Sequence, residues 1–273
     1  MPSLSSRLAR LRHIVFDMDG TIYLGSRLFE PTLPLLALLR RLDVGYSFVT
    51  NNCSRSRAEY IDHLRRLGIA APPDAVVVST HAATHYLRRH APHARRLFTL
   101  NSPGADDDLR LAGFEIVQES PDAVVVGWDR TLTYDRLCRT AWFIKRGLPY
   151  VATHPDRVCP TDEATVLPDC GAICALLETA TGRRPDAVAG KPSPTMLQEV
   201  LDRHALAADD VAMIGDRLYT DVRMARDAGV LAVLTLTGEA SADEAMSLPA
   251  PERPELIVRD LHDLAQQLRA ARQ

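Results

Sequence analysis

The sequence predicts an α/β chain in which helices flank a doubly wound parallel sheet and a second α/β domain is inserted into the first. Three observations carry this. Short apolar runs at 14–16 and 211–214 show no alternation, as suits strands buried on both faces of a parallel sheet. Stretches of helical period separate them, the first through Leu33, Leu35, Leu36, Leu38, Leu39 and Leu42. The pattern changes near residue 83 and resumes near 186, so the expected domains are 1–82 with 186–273, and an insertion at 83–185.

The first strand runs straight into Asp17-Met18-Asp19-Gly20-Thr21. Asp17 therefore falls where open α/β sheets place ligand chemistry, outside the carboxyl ends of the strands, and Gly20 lets the chain turn sharply. An acidic turn without chemistry is the plain alternative. Gly45 precedes a second strand at 46–50, which completes a βαβ unit and ends in Thr50-Asn51-Asn52. With Ser54, these residues also read as a cap for the next helix, at 56–67, which closes at Gly68 before another apolar strand at 75–79.

Within the insertion, strands are expected at 97–100, 114–117, 123–126 and 150–153, with helices near 86–87, 103–112, 134–145 and 172–181. The arginine-rich 88–96 reads as a solvated face, and Trp128 and Trp142 read as packing. Residues 182–185 form a return linker. The strand-then-polar-end pattern then resumes with 187–189 leading into Gly190-Lys191-Pro192-Ser193-Pro194, Ser193 being a candidate N-cap with Pro194 at the first helical position. Strand 211–214 ends in Gly215-Asp216-Arg217, and Asp221 opens a helix that Gly229 closes. Strands at 231–236 and 256–258 follow, then an amphipathic helix through Leu261, Leu264 and Leu268.

At 273 residues and 46% hydrophobic content there is room for two cores. A net charge of -3 argues against nucleic acid or an anionic membrane surface as the main partner, and no apolar run is long enough to span a bilayer. Residues 1–12 lack the apolar core of an export signal, so a cytoplasmic protein is expected. The five cysteines, Cys53, Cys138, Cys159, Cys170 and Cys174, lack metal spacing and read as free thiols, with Cys170 and Cys174 packing on one helix face. Only Lys145 and Lys191 among the 32 basic residues are lysines, so Lys191, on a loop before a helix, suggests a need for a compact ammonium.

If the strands share one sheet, Asp17 with Asp19, Thr50 with Asn51, Lys191, and Asp216 with Asp221 meet along one edge. Carboxylates for a hard divalent cation, one ammonium and neutral donors suit a phosphoryl group.

These four stretches, in this order, resemble the four motifs of the haloacid dehalogenase-like hydrolases. The resemblance extends through Trp128-Asp129-Arg130, Thr153-His154-Pro155-Asp156 and Cys170-Gly171-Ala172-Ile173-Cys174, which look like the cap of the NagD-like and nitrophenyl-phosphatase-like branch. It implies a Rossmann-like core with a C2-type cap, and a phosphatase of small phosphorylated metabolites. It also implies that Asp17 attacks phosphorus to form an aspartyl-phosphate, with Asp19 as general acid and then general base. Asp19 must start protonated, which desolvation under a closed cap would favour. Mg2+ would sit on the Asp17 carboxylate, the Asp19 backbone carbonyl and Asp216, with Asp221 behind them. Thr50 and Asn51 would donate to the phosphoryl oxygens beside Lys191, while Gly20, Asn52, His154 and Asp156 would contact the substrate. Many relatives carry Asn where this chain has His154, and small residues near Asp169, so the substrate-facing surface is expected to differ. Related caps form dimers, which implies a second copy as a partner.

Two other classes compete. A phospho-acceptor receiver shares acids, a threonine and a lysine at sheet ends, but the insert between Thr50 and Lys191 is too large for one. A phosphometabolite-binding protein without turnover has no need of both Asp17 and Asp19. Asp19 also disfavours dehalogenase chemistry, and a phosphomutase is set aside only by the type of cap.

Overall fold

The computed structural model describes residues 3–159 and 165–273. Its contacts divide the chain into two units: the first comprises the chain up to Val49, Ile61–Val77 and Pro192 onward, the second Thr50–Tyr60 and Val78–Lys191. Segments 50–60, 78–82 and 186–191 thus pack with the second unit, beyond the expected insertion at 83–185.

The first unit is built on a six-stranded sheet ordered Leu256–Val258, Leu231–Thr235, Val211–Gly215, His13–Asp17, Gly45–Thr50, Val76–Val78. His13–Asp17 lies at the centre, parallel to both neighbours, with Phe16 in register with Ile214 and Phe48. Ile14, Val15 and Phe16 are wholly buried, which is why the run carries no polar alternation. The helix Thr32–Arg41 buries Leu35, Leu36, Leu38 and Leu39. The C-terminal helix Leu261–Ala271, capped by Asp260 accepting from the Asp263 amide at 2.9 Å, packs on it and on Leu4–Arg10. Among the pieces with no counterpart in the sequence reading are the helix Leu4–Arg10, the hairpin Tyr23–Leu24 with Arg27–Leu28, and the helix Ala242–Ser247 with its Ser241/Glu244 capping box.

The second unit has its own parallel sheet, ordered Ala187–Val188, Tyr150–Ala152, Ala123–Val126, Arg96–Leu100, Glu115–Ile116. Phe98, Leu100, Val124, Val126, Tyr150 and Ala152 from its strands pack with Phe143 and Ile144 of the helix Tyr134–Lys145 and Ile173 and Leu177 of the helix Cys170–Thr181.

This sheet corrects a main expectation. The strand before Lys191 does not resume the first sheet: it extends the second, pairing in parallel with Tyr150–Ala152. The ladder is continued by the amides of Asp186, Ala189 and Gly190, which donate to the carbonyls of Tyr150, Ala152 and Thr153 at 2.7, 2.9 and 2.7 Å. Two residues of strand are enough to dock on an exposed edge but too few to display which edge in their side chains. Other differences are local. The helix Thr195–His204 has Pro194, not Ser193, at its N-cap, because the Ser193 hydroxyl turns to Thr195 Oγ1 at 2.8 Å. A π-helical turn at Leu218–Val222 precedes the helix Arg223–Asp227, so Asp221 lies inside the turn. Trp142 is 60% exposed, with the Arg146 guanidinium 5.9 Å from its ring, and is not packing. All five cysteines are free thiols. No helix among the described residues is long and apolar enough to cross a membrane.

At the amino end of the first sheet, His13 is buried, meets Ser47 Oγ at 2.8 Å through Nε2 and lies against His204 in a tilted ring contact with centroids 4.7 Å apart. Burial, and next the neighbouring His204, push its pKa down from 6.5 to about 4 against a smaller upward pull from Asp74. An imidazole held neutral when folded takes its proton on unfolding, so stability is whole above the unfolded value and falls as pH drops from 6.5 towards 4. Urea denaturation at neutral pH and at about pH 4.5 should show the wild type losing about 2 kcal/mol more than His13→Gln. Equal losses would contradict the assignment.

Candidate active site

Each strand of the first sheet that carries chemistry delivers it just past its carboxyl end. Asp17 ends the central strand. Because Phe16 is opposite Ile214, Gly215 and Asp216 come out of the neighbouring strand beside it. Asp221 follows in the π-helical turn. Carboxylate oxygens of Asp17, Asp216 and Asp221 lie within 4.8 Å of one another, and all three residues are buried.

The chain around them is cut to fit. A Cβ at Gly20 would sit 2.6 Å from Asp216 Oδ2, one at Gly238 2.0 Å from the same atom, and one at Gly215 2.3 Å from the Asp221 Cγ. Gly20 also has φ +86, which its turn requires: its amide donates to Tyr23 O at 2.8 Å while those of Thr21 and Ile22 donate to Met18 O. Asp19 is exposed on this turn.

Backbone amides serve the carboxylates. Glu239 N–H donates to Asp216 Oδ2 at 2.9 Å and Arg217 N–H to Asp221 Oδ2 at 3.2 Å. The Thr237 hydroxyl donates to Gly20 O at 2.7 Å, tying the two turns together. Arg217 pairs with Glu239 at 3.0 Å; burial works to lower its pKa, but Asp216, Tyr219, Asp17 and Glu239 outweigh that and hold the guanidinium firmly charged. Hard oxygen donors at this spacing suit a divalent cation such as Mg2+, so the residues present fit the metal that the sequence resemblance implies.

The loop 237–239 is the part that sequence reasoning missed. Its signal was present, since Thr237-Gly238 ends strand Leu231–Thr235 in the same apolar-then-polar manner as the other strand ends.

In the second unit a different set converges. Asn51 bridges the strand end at Lys191: its Oδ1 accepts from Lys191 N–H at 2.7 Å, and its Nδ2 donates to Lys191 O at 3.0 Å and to Asp156 Oδ2 at 3.3 Å. Gly190 allows this closeness, because a Cβ there would lie 2.5 Å from Asn51 Oδ1, 2.6 Å from Thr153 O and 3.1 Å from the His154 Cβ. Lys191 itself is buried. Thr50, also buried, accepts from Asn52 N–H at 3.1 Å through its hydroxyl, while exposed Asn52 accepts from Ser54 N–H at 2.9 Å. His154 is 1% exposed with both ring nitrogens engaged, Nδ1 with the Thr153 hydroxyl and Nε2 with Asp169 Oδ1, each at 2.8 Å. Asp169 is buried too, and caps the helix Cys170–Thr181.

The strand ends expected on one edge therefore divide. Those of Asp17, Thr50 and Asp216 belong to the first sheet, and that of Lys191 to the second.

Residues 14–115 match the model of the haloacid dehalogenase-like hydrolase family, and residues 188–264 match a second model described as HAD-hydrolase-like. The chain is 34% identical over 256 residues to the D-glycerol 3-phosphate phosphatase of Mycobacterium tuberculosis, a match covering 93% of this chain and 70% of that protein. The crystal structure of a 4-nitrophenylphosphatase from Thermotoga maritima matches with a TM-score of 0.89 and 36% identity, over 95% of this chain and 98% of that one. That of a glycerol phosphate phosphatase from Mycobacterium tuberculosis in complex with magnesium matches with a TM-score of 0.87 and 33% identity, over 96% and 79%.

Because a Cβ at residue 238 would meet the Asp216 carboxylate head-on, Gly238→Ala is expected to cost about 2–3 kcal/mol in urea denaturation. An unchanged midpoint would show that the loop is not pressed against Asp216.

Proposed function

Since the chain belongs to the haloacid dehalogenase-like hydrolases, in their NagD-like and nitrophenyl-phosphatase-like branch, and is a phosphoric monoester hydrolase, we propose that it is a Mg2+-dependent phosphatase of small phosphomonoesters that works through an aspartyl-phosphate on Asp17. The observation that carries the reading is the convergence of Asp17, Asp216 and Asp221 at the carboxyl end of the central strands.

Asp17 and Asp216 would hold the cation together with the backbone carbonyl of Asp19, and Asp221 adds a third negative charge behind them. When bound, the cation would offset charge on the phosphoryl oxygens. An Asp17 carboxylate oxygen attacks phosphorus in line, and the bond to the ester oxygen breaks as Asp19 donates its proton to that oxygen. Asp19, now a carboxylate, takes a proton from a water molecule as it attacks the acyl phosphate. Inorganic phosphate leaves and Asp17 is restored. Asp19 is exposed, not desolvated as expected, so the burial that would keep it protonated has to come with the bound substrate.

Thr50 and the backbone N–H of Asn51 serve as donors to the phosphoryl oxygens, with Lys191 as the neighbouring positive charge. The Asn51 side chain is committed to Lys191 and Asp156, so its task is to set the lysine. Gly20 leaves the room that the Asp216 carboxylate needs beside the phosphoryl group, and Asn52 and Asp156 face the leaving group. With both nitrogens engaged, His154 holds its turn and does not touch the substrate. The named activities of the relatives support small substrates such as glycerol phosphate, sugar phosphates and nitrophenyl phosphate. Five free thiols support a reducing, cytoplasmic setting.

Phosphate release from sugar phosphates, nucleoside monophosphates and nitrophenyl phosphate, with Mg2+ or with chelator, tests this reading. Release should require the metal, and Asp17→Asn should lower kcat by at least about a thousandfold without lowering Tm. Unchanged turnover in that variant would remove the covalent mechanism. In a second comparison, Asp19→Asn is expected to be nearly as damaging on a sugar phosphate, whose alkoxide leaves poorly, and clearly less so on nitrophenyl phosphate. Equal losses on the two substrates would count against the acid role.

A further inference from the structure

We propose that the buried, hydrogen-bonded His154–Asp169 pair is a positioning device for Lys191, holding the turn that follows strand Tyr150–Ala152 against Gly190 and, through Asp156 and Asn51, setting the backbone of the lysine. The functional part of this rests on Lys191 being the cation beside the phosphoryl group.

Two routes connect the pair to Lys191, and both are short. The first is direct: the space where a Gly190 side chain would begin is bounded by the His154 Cβ at 3.1 Å and Thr153 O at 2.6 Å, and Gly190 N–H donates to Thr153 O at 2.7 Å. Any movement of the His154 backbone is thus felt one residue before Lys191. The second runs along the turn. Asp169 N–H donates to Arg157 O at 3.0 Å and Gly171 N–H to Asp156 O at 2.7 Å, stitching both sides of Asp156 to the start of the helix Cys170–Thr181. Gly171 is obligatory there, since its Cβ would lie 2.1 Å from Pro155 O. Asp156 then accepts from Asn51, whose amide holds both the N–H and the carbonyl of Lys191.

Stability alone is a poor reason for such a pair. Polar groups taken out of water rarely gain more than an apolar pair of the same volume, so this buried hydrogen-bonded pair is better explained by the geometry it enforces. His154 gives a fixed geometry, because one nitrogen is bound by Asp169 and the other by the Thr153 hydroxyl, which also lies 3.7 Å from the Cys53 sulfur.

The pair also carries a pH limit. The titratable groups facing His154 are Cys53 from the segment 50–60, 3.9 Å from Nδ1, with Cys170 and Asp169 at the head of the helix; Asp169, Cys53 and Asp156 in turn lie near Cys159. Burial disfavours the imidazolium, but Cys53, Cys170 and Asp169 together outweigh it and raise the His154 pKa well above 6.5. Burial pushes the Cys170 thiol up as well. With the folded pKa raised, the contribution of the pair is whole below 6.5 and is lost as pH rises through the folded value.

Only two lysines occur in the chain, and Lys145 is exposed on the helix Tyr134–Lys145, so protein labelled with 13Cε-lysine reports Lys191 with a built-in control. His154, observed through 13Cε1-histidine and assigned with His154→Asn, should titrate above the ordinary imidazole range, and the Lys191 resonance should shift with the same midpoint while that of Lys145 does not. Asp169→Asn, which keeps a capping oxygen, should shift the Lys191 resonance at neutral pH, lower kcat/KM by about tenfold and move the alkaline limb of the activity profile to lower pH. A Lys191 resonance indifferent to the His154 titration and to both substitutions would overturn the proposal, as would a neutral His154 at pH 7. If the resonance follows His154 but no phosphate is released from any substrate, the positioning stands and the phosphatase reading falls; release with an indifferent resonance is the reverse.

Discussion

Three carboxylates that repel one another are brought within 4.8 Å by the first sheet, and much of the first unit is shaped by the need to hold them there. The register that sets Phe16 beside Ile214 fixes Asp17 against Asp216 before any side chain chooses a rotamer. Gly20, Gly215 and Gly238 then leave out side chains where the acids need space, and the amides of Arg217 and Glu239 point inward as donors. A loop from the far side of Asp216 closes the arrangement through the Thr237 hydroxyl and Gly20 O. An apolar pocket would be cheaper to fold; these compensations make sense around a cation and a phosphoryl group.

The second unit solves a different problem with similar means. Its sheet also ends in polar residues, but they are spent mainly on one another, and their product is a lysine whose backbone is fixed from two sides. Asn51 illustrates the change of role: the sequence marks it as a donor at a strand end, whereas its side chain is the link between Lys191 and Asp156. An arginine at 191 would bring a wider planar head to the same backbone, which fits the choice of one of only two lysines in an arginine-rich chain.

Much of this was legible in the sequence because parallel strands buried on both faces leave unbroken apolar runs, and because function sits where those runs end. Residues 14–16, 123–126 and 211–214 read directly as strands for that reason, and Asp17 and Asp216 as acids at their ends. What was not legible follows equally from physics. Ala187–Val188 is two residues long and half-buried, so its pattern holds nothing to tell a first-sheet strand from a second-sheet edge, and only its hydrogen bonds to Tyr150–Ala152 decide. The partnership of His154 with Asp169 joins residues fifteen apart through a turn, beyond the reach of helical or strand periodicity. Trp142 was read as packing on its residue type, yet its place on the helix Tyr134–Lys145 leaves it exposed.

The central claim is that the Asp17 carboxylate becomes covalently bonded to phosphorus, and the most direct measurement is mass spectrometry of the peptide containing Asp17 after acid quenching during turnover with Mg2+ and nitrophenyl phosphate. The account predicts a single phosphoryl adduct on Asp17 that appears with the first turnover and decays as substrate is exhausted. Continued phosphate release with no adduct at any quench time, or with the adduct on another residue, would contradict it.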